Sequence, residues 1–517
     1  MTIGKTSARG RCDGRARRWG DAPIMDREIE LKFLIPPEAA EAILSALDGE
    51  GAVRQLDATY YDTADHALRQ AGFGLRVRDG EGGRKQTLKS ASAGGVFSRG
   101  EWEETIAGPA PDRDALARTP VAAMLADAAL SPVFTTRVER VIRMVRSGET
   151  LIEVALDRGQ LSAGERHAAV CELELELKTG QPQALFDLAR TLARHAPLRL
   201  SLISKAERGY GLAVGDAALR VRRQTAALGP EASVEAALQA IGQAGLAHLC
   251  AALEALRERP EPDSVHQARV AARRLRAMLK IFKPLSRDAA AMALDAELDW
   301  LAGELDAARD LDVFVGEVWE GSAKNAPFEG RDAFERGLKA ARATAYLRME
   351  AALESPRARD VLLEAAAWLE AGTWITDPAL AEVRETPAAS LASEVLDHLR
   401  GRTKTGAKRF NDLDPHGRHK LRLKGKTLRY AAEDLALLFP DHPRRAERFL
   451  AAAKAVQDTL GALNDRTVRH DVVDAAAHGD PSLARDAAGA VLRDDETKLL
   501  HAAREALDAL VEAKTFW

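Results

Sequence analysis

The sequence predicts an α+β multidomain protein with two unlike parts. The N-terminal part reads as a closed antiparallel β-barrel, a charge-lined tunnel with flanking helices. The C-terminal part reads as all-α, two helical bundles related by a pseudo-twofold axis. Three observations predict this. Between residues 28 and 178, strand-like segments recur with a charged side chain at every second position. From residue 231 onward almost everything has helical periodicity, punctuated by prolines. Within that helical part, two segments repeat each other in order and spacing.

The first strand is Glu28-Ile29-Glu30-Leu31-Lys32-Phe33. A period of two puts Glu28, Glu30 and Lys32 on one face and Ile29, Leu31 and Phe33 on the other. A solvated charged face is the ordinary fate of such a strand. Here, however, the pattern continues. Arg76 and Arg78 alternate with Leu75 and Val77, Thr87 and Lys89 flank Leu88, and Glu101 and Glu103 flank Trp102. Glu153 shares a parity with Asp157, and Glu172, Glu174 and Glu176 alternate with leucines. Like charges side by side destabilise a strand pair unless the opposite sign lies between them. Strands closed into a barrel with these faces inward supply that opposite sign. Such a lining suits a polyanion carrying divalent cations, with Lys and Arg on phosphate oxygens and carboxylates on a hard metal. Arg137 and Arg140 have opposite parity, and Arg140 is the one expected to face the tunnel.

The remaining elements of this part follow in order. Residues 1–24 are Arg- and Gly-rich without periodicity and read as a disordered basic tail; Arg17-Arg18 precedes no apolar segment. Met25 stands just before the first strand as an alternative start. Pro36-Pro37-Glu38 begins a short helix ending near Leu47. Strands are expected from Ala52 to Ala107, a helix over Asp112–Ala129, strands over 135–145, 150–157 and 169–178, and a helix over 183–193. The glycines at 80, 82 and 83 make a turn; no Gly-Lys-Ser/Thr follows to form a phosphate-cradling loop. Residues 216–230 read as a linker.

Composition bounds the partners. A net charge of −4 gives no global basic field for nucleic acid, and aromatics at 5% leave base stacking little support. Cys12, Cys171 and Cys250 match no zinc or disulfide spacing, which fits reduced thiols and a cytoplasmic setting. No membrane span is expected.

The ordered set Glu28-x-Glu30-x-Lys32, Tyr60-Tyr61-Asp62-Thr63, Leu75-Arg76-Val77-Arg78, Thr87-Leu88-Lys89, Glu101-Trp102-Glu103, Arg140, Glu153-x-x-x-Asp157, Glu172-Leu173-Glu174 and Ser204-Lys205 resembles the CYTH superfamily, the triphosphate tunnel metalloenzymes. It covers residues 25–215. The resemblance implies metal-dependent hydrolysis of inorganic triphosphate with Mg2+ or Mn2+. Glu28, Glu30, Glu172 and Glu174 are then the metal ligands. Glu101, Glu103, Glu153 and Asp157 are second-site ligands or the group that orients water. Lys32, Arg76, Arg78, Lys89, Arg140 and Lys205 clamp the phosphates. Glu28, Glu30, Lys32 and Asp157 are the candidate catalytic set. Glu176 has the same parity and is left open between ligation and an ion pair. The same superfamily also implies alternatives: hydrolysis of thiamine triphosphate or a nucleotide, or adenylate cyclase activity.

In the helical part, His266-x-x-Arg269-x-x-x-Arg273-x-x-Arg276 matches His419-x-x-Arg422-x-x-x-Lys426-x-x-Arg429. Each set falls within an arc of about 80° on one helical face, and Lys280 extends the first. Ala308-Arg309-Asp310-Leu311-Asp312-Val313 is echoed by Leu463-Asn464-Asp465-Arg466-Thr467-Val468. A solvated Lys/Arg face is the bland alternative. Poor compensation by neighbouring acids, and a histidine at the head of both copies, lean toward an anion site. This part, residues 231–512, resembles the CHAD domain, a helical module whose histidines and basic residues bind inorganic polyphosphate and which often follows CYTH. Its implied partner is long-chain polyphosphate. A non-catalytic, granule-associated polyphosphate-binding protein is the remaining alternative.

Overall fold

A computed structural model describes residues 29–49, 51–80, 83–90, 97, 100–215, 226, 228–322, 327–492 and 496–517. The expected basic tail, Met25, Cys12, Glu28 and most of the 216–230 linker lie outside the described residues.

Among the described residues, nine strands form one antiparallel sheet: β1 (Ile29–Leu34), β2 (Ala52–Asp62), β3 (Phe73–Asp79), β4 (Lys85–Ser90), β5 (Glu101–Thr105), β6 (Ser131–Ser147), β7 (Thr150–Ala163), β8 (Arg166–Thr179) and β9 (Arg199–Leu200). Their order is β5-β4-β3-β2-β6-β7-β8-β1-β9. The expected closed barrel is therefore corrected: β5 and β9 are edges of an open ladder. The free side of β1 is taken by β9 at Phe33 and Leu34. Across the remaining gap, the Glu30 amide donates to the Phe97 carbonyl at 3.2 Å, just ahead of β5. The sheet rolls until its ends nearly meet, without a continuous ladder.

The apolar alternates face outward from the roll. Leu31, Phe33, Val154, Leu156, Leu173 and Leu175 are buried against Leu185, Phe186, Ala189 and Leu192 of the helix Gln183–Leu192. That apolar cluster runs on without interruption into Leu238, Leu246, Leu249 and Leu253 of the helix Val234–Glu258. The two parts thus share one core. The helix expected over 112–129 is instead two short ones, Arg113–Leu116 and Ala122–Leu125. Pro120, which cannot donate to a helical ladder, lies between them.

The helix Lys205–Val214 packs across the end of the roll. Ser204 and Glu207 form a reciprocal capping box at its start. Gly209 lets this helix approach β6: a Cβ there would stand 2.1 Å from the Phe134 ring.

In the helical part, Val234–Glu258, Pro262–Ile281 and Ala289–Val313 are matched by Ala388–Lys408, Pro415–Leu435 and Pro443–Ala476. In each trio the middle helix has proline at its first turn. By length and composition Val234–Glu258 is apolar enough to cross a membrane, although it holds no unbroken apolar run of 18 residues. It is a core helix, with 67% of its most apolar window buried inside the molecule. Cys171 and Cys250 are free thiols.

Candidate functional site

The charged face of the rolled sheet encloses a cavity of about 230 Å³. Glu30 and Lys32 of β1, Arg76 and Arg78 of β3, Lys89 of β4, Arg140 of β6, Glu153 and Asp157 of β7, and Glu174 of β8 all line it, together with Lys205 at the head of the Lys205–Val214 helix. Register explains the gathering. Lys32 lies opposite Glu174 and Arg140 opposite Asp157, whereas Asp157 and Glu172, two acids, lie side by side and share Lys205 as their cation. Arg137 points outward to Asp57 at 3.5 Å.

Three of the expected metal ligands are already held by cations. Lys205 Nζ stands 2.8 Å from Asp157, 2.6 Å from Glu172 and 2.8 Å from Glu174. Arg140 donates to both Asp157 oxygens, at 2.6 and 2.7 Å, and also to Glu174. Burial opposes ionisation of Glu172 and Glu174, yet the adjacent cations outweigh it and hold both below the usual carboxylate range. Burial likewise opposes charge on Lys205, and Glu172, Glu174 and Asp157 push its pKa well up instead. Lys32 donates to the Ile203 carbonyl, tying β1 to the segment that leads into Lys205.

A second acidic group is arranged differently. Glu176 lies opposite Glu30 on one side and opposite Glu153 on the other, so three carboxylates form a row across β1, β8 and β7. All three line the cavity. Lys178 pairs with Glu176 and approaches Glu153 at 3.6 Å. Like charges at such spacing call for a cation, and hard carboxylate oxygens suit a divalent one. The oxygens suit a divalent metal by their chemistry, but among the described residues no group of three or more acid, histidine or cysteine side chains is placed to hold one. Glu28 lies outside that description.

Glu101 and Glu103 are engaged with cations rather than gathered with the other acids. Glu101 pairs with Lys89 at 2.9 Å. Glu103 accepts from Arg78 at 3.5 Å and from the Thr87 hydroxyl at 3.1 Å. Arg76 lines the cavity, and its Nε is buried without a hydrogen-bond partner, a donor left unsatisfied by the protein. Beyond Arg78, Arg140, Glu153 and Leu56 the space continues into an outer cavity of about 200 Å³, where Arg54 and Lys85 join the lining. The sequence reading missed both: neither belongs to a recognised motif, though each shares the parity of its inward neighbours.

Asp62 of the Tyr60-Tyr61-Asp62-Thr63 motif is structural. It is fully buried and accepts from the Leu68 and Arg69 amides at 2.9 and 3.0 Å, and from the Tyr210 hydroxyl at 2.8 Å.

In the helical part the basic helices Pro262–Ile281 and Pro415–Leu435 face each other. Burial lowers the pKa of Arg273, Arg422 and Lys426, and the cations converging from the two helices lower them further. Lys426 is pushed down to about 6 by burial, then by Arg422, Arg273 and Arg269. Burial and then Arg309 lower the His266 pKa, and its Nδ1 is buried without a hydrogen-bond partner, as is Arg422 Nε. Acids interrupt the patch. Asp306 takes Arg269 and Arg273, Asp465 stands 4.0 Å from Arg422, and Asn464 holds His419 at 2.6 Å. Arg276 turns instead to Asp295 and Asp299, Arg429 pairs with Glu433 at 2.7 Å, and Lys280 is exposed. The structure adds Arg309, which the echo of the Asp310 and Asp465 segments had flagged only as a repeat.

The CYTH domain model matches residues 26–210 and the CHAD domain model residues 240–474. An inorganic triphosphatase of Haemophilus influenzae is 34% identical over 194 residues, covering 36% of this chain and 55% of that protein. The chain thus spans about half the length of that curated relative. A crystal structure of the CHAD domain from the plant Ricinus communis is similar at 29% identity and a TM-score of 0.48, over 56% of this chain and 96% of that one. A putative adenylyl cyclase from Hippeastrum, described as having a dominant triphosphatase activity, is similar at 20% identity and a TM-score of 0.29, over 35% of this chain and 94% of that one. The charge-lined sheet and the helical part behind it are thus a CYTH domain followed by a CHAD domain.

Proposed function

We propose that this protein is a metal-dependent inorganic triphosphatase whose helical domain binds long-chain polyphosphate. The observation that carries the first part is the cavity lined by both signs, with Arg76 Nε buried there unpartnered. Arg76, Arg78 and Lys89 on one wall, and Arg140, Lys32 and Lys205 on the other, orient a triphosphate by its oxygens. Glu30, Glu176 and Glu153, with Glu28, would hold a divalent cation, which when bound supplies positive charge to the phosphate oxygens. Asp157, Glu172 and Glu174 hold Arg140 and Lys205 in place before substrate arrives. The fixed guanidinium and ammonium groups then meet the charge that grows on the transferring phosphoryl group.

Phosphate release from tripolyphosphate, ATP, thiamine triphosphate and long-chain polyphosphate, each with Mg2+ and Mn2+, tests this. Tripolyphosphate should turn over fastest and only with metal; turnover unchanged by chelator sinks the reading. The outer cavity, with Leu56 and Ile142 in its lining, favours a second reading in which the triphosphate carries an organic group. Preferential turnover of ATP or thiamine triphosphate would select it.

For the helical domain, the support is the convergence of Arg269, Arg273, Arg422 and Lys426, with His266 Nδ1 and Arg422 Nε unpartnered. A chain of phosphates satisfies these donors and relieves the mutual repulsion.

A further inference from the structure

The helix Val234–Glu258 belongs to the helical domain, yet Ala247 on it lines the CYTH cavity. Two turns further on, Glu254 is 7% exposed and accepts from Arg208 Nη2 at 2.7 Å. Arg208 is on the Lys205–Val214 helix, and its Nε stands 3.7 Å from Glu172. Glu172 in turn holds Lys205 at 2.6 Å. One carboxylate of the helical domain therefore connects through a single arginine to the acid that cages a cavity cation. Glu254 keeps this place at a cost, since its Oε1 is buried without a hydrogen-bond partner.

We infer that Glu254 is a positioning residue for the cavity. It holds Arg208 back from Glu172 and so decides how firmly Glu172 retains Lys205. The distances carry this: Arg208 is bonded to Glu254 and only near Glu172. Without the charge on Glu254, the guanidinium keeps the Ser201 hydroxyl at 3.3 Å, has Glu172 as its nearest ion-pair partner, and competes with Lys205 for it. Lys205 is then freer to turn to a phosphate, and the region around the cavity becomes more positive. Without Arg208, Glu172 belongs to Lys205 alone and the surroundings become more negative. The two halves of one ion pair therefore act on anion binding with opposite signs. Loss of charge alone also gives opposite signs, so Glu254→Asp, which keeps the charge and shortens its reach, separates the two: only release of Arg208 tightens binding in that variant.

This assignment rests on reading the cavity as a triphosphate site. The test is calorimetric titration of the full chain with tripolyphosphate in EDTA, which needs no turnover. Glu254→Gln should tighten binding and Arg208→Gln weaken it, each by about threefold to tenfold, the range seen when partners behind a binding group are altered. Glu364→Gln breaks another interdomain pair, in which Arg190 donates at 2.7 and 2.8 Å, away from the cavity lining. It should leave binding unchanged. Shifts of the same sign in the Glu254 and Arg208 variants, or no shift in either, overturn the inference and leave the site reading intact. If the wild-type protein does not bind tripolyphosphate, the site reading fails and takes the inference with it. Glu254→Asp should also tighten binding; no shift in it overturns the inference, and it carries the same test should Glu254→Gln not fold.

Discussion

Lys205 and Arg140 are the residues on which the cavity turns, because Asp157 and Glu174 pair with both, and Glu172 with Lys205, which leaves little room for rearrangement. Removing Arg140 leaves Asp157, 1% exposed, and Glu174 short of a cation. Breaking a buried pair from one side costs about 3–5 kcal/mol, so Arg140→Ala should lower the thermal midpoint markedly as well as abolish turnover. An unchanged midpoint would mean the network is slack. The pH dependence follows from the same pairs. Glu172 and Glu174 are held below the usual carboxylate range, so their contribution to stability is fully present above the unfolded carboxyl pKa, about 4. It is lost as pH falls through their lower folded values. Thermal unfolding should show a destabilisation that grows below about pH 4, and Glu174→Gln should flatten it. Glu30 also feels Arg140, but its place is in the row with Glu176 and Glu153. Glu30→Gln should keep the fold and lose about a hundredfold in hydrolysis, the scale of removing one charge-stabilising group from an active site. Wild-type turnover in that variant would remove Glu30 from the metal site.

At the scale of single elements, two helices make measurable claims. The Lys205–Val214 helix reaches the cavity only because Gly209 lets it lie against Phe134. Gly209→Ala should cost about 1–3 kcal/mol through the forced shift, with weaker tripolyphosphate binding; wild-type stability would show that the ring simply moves aside. In the second basic helix, Lys426 is pushed down to about 6, so it is largely neutral at pH 7 in the free protein. A polyanion raises that pKa. Polyphosphate binding at pH 7–8 should therefore take up a proton, detectable as buffer-dependent binding heat, and should weaken as pH rises. Binding heats identical across buffers would remove Lys426 from the contact. Reversing Arg269 and Arg422 to glutamate should weaken polyphosphate binding far more than reversing two exposed charges elsewhere, and binding should fall steeply with salt.

At the scale of the whole molecule, the two domains are joined by more than a linker. The apolar cluster is continuous from the sheet into Val234–Glu258, and Arg190–Glu364, Arg199–Glu354 and Arg208–Glu254 cross the boundary. The sequence suggests an autonomous unit over residues 25–215, since every recognised cavity motif lies there. The shared core argues otherwise. A fragment of residues 25–215 should unfold at a lower temperature than the full chain and bind a hydrophobic dye, because Leu198, Leu200 and their neighbours lose their cover. A fragment with the full-chain midpoint and no dye binding would restore the autonomous reading.

The sequence by itself determined which face of each strand and helix is charged. That follows from covalent geometry, since side chains alternate at period two in a strand and return every 3.6 residues in a helix. Glu30 with Lys32, Arg76 with Arg78, and Arg269 with Arg273 were legible for this reason. Tertiary structure alone decided who meets whom. Glu176 joins Glu30 and Glu153 only through the register of three strands, and Glu172 and Glu174 are claimed by a lysine at the start of a later helix. Arg276 and Arg429 share an arc with their neighbours, yet a neighbouring helix or the next turn supplies their acids. Among the described residues β9 takes only the Phe33–Leu34 end of the free edge of β1, and Glu254 reaches Arg208 across the domain boundary. Periodicity fixes the direction in which a side chain leaves its own backbone; the partner it finds depends on packing between segments distant in the chain.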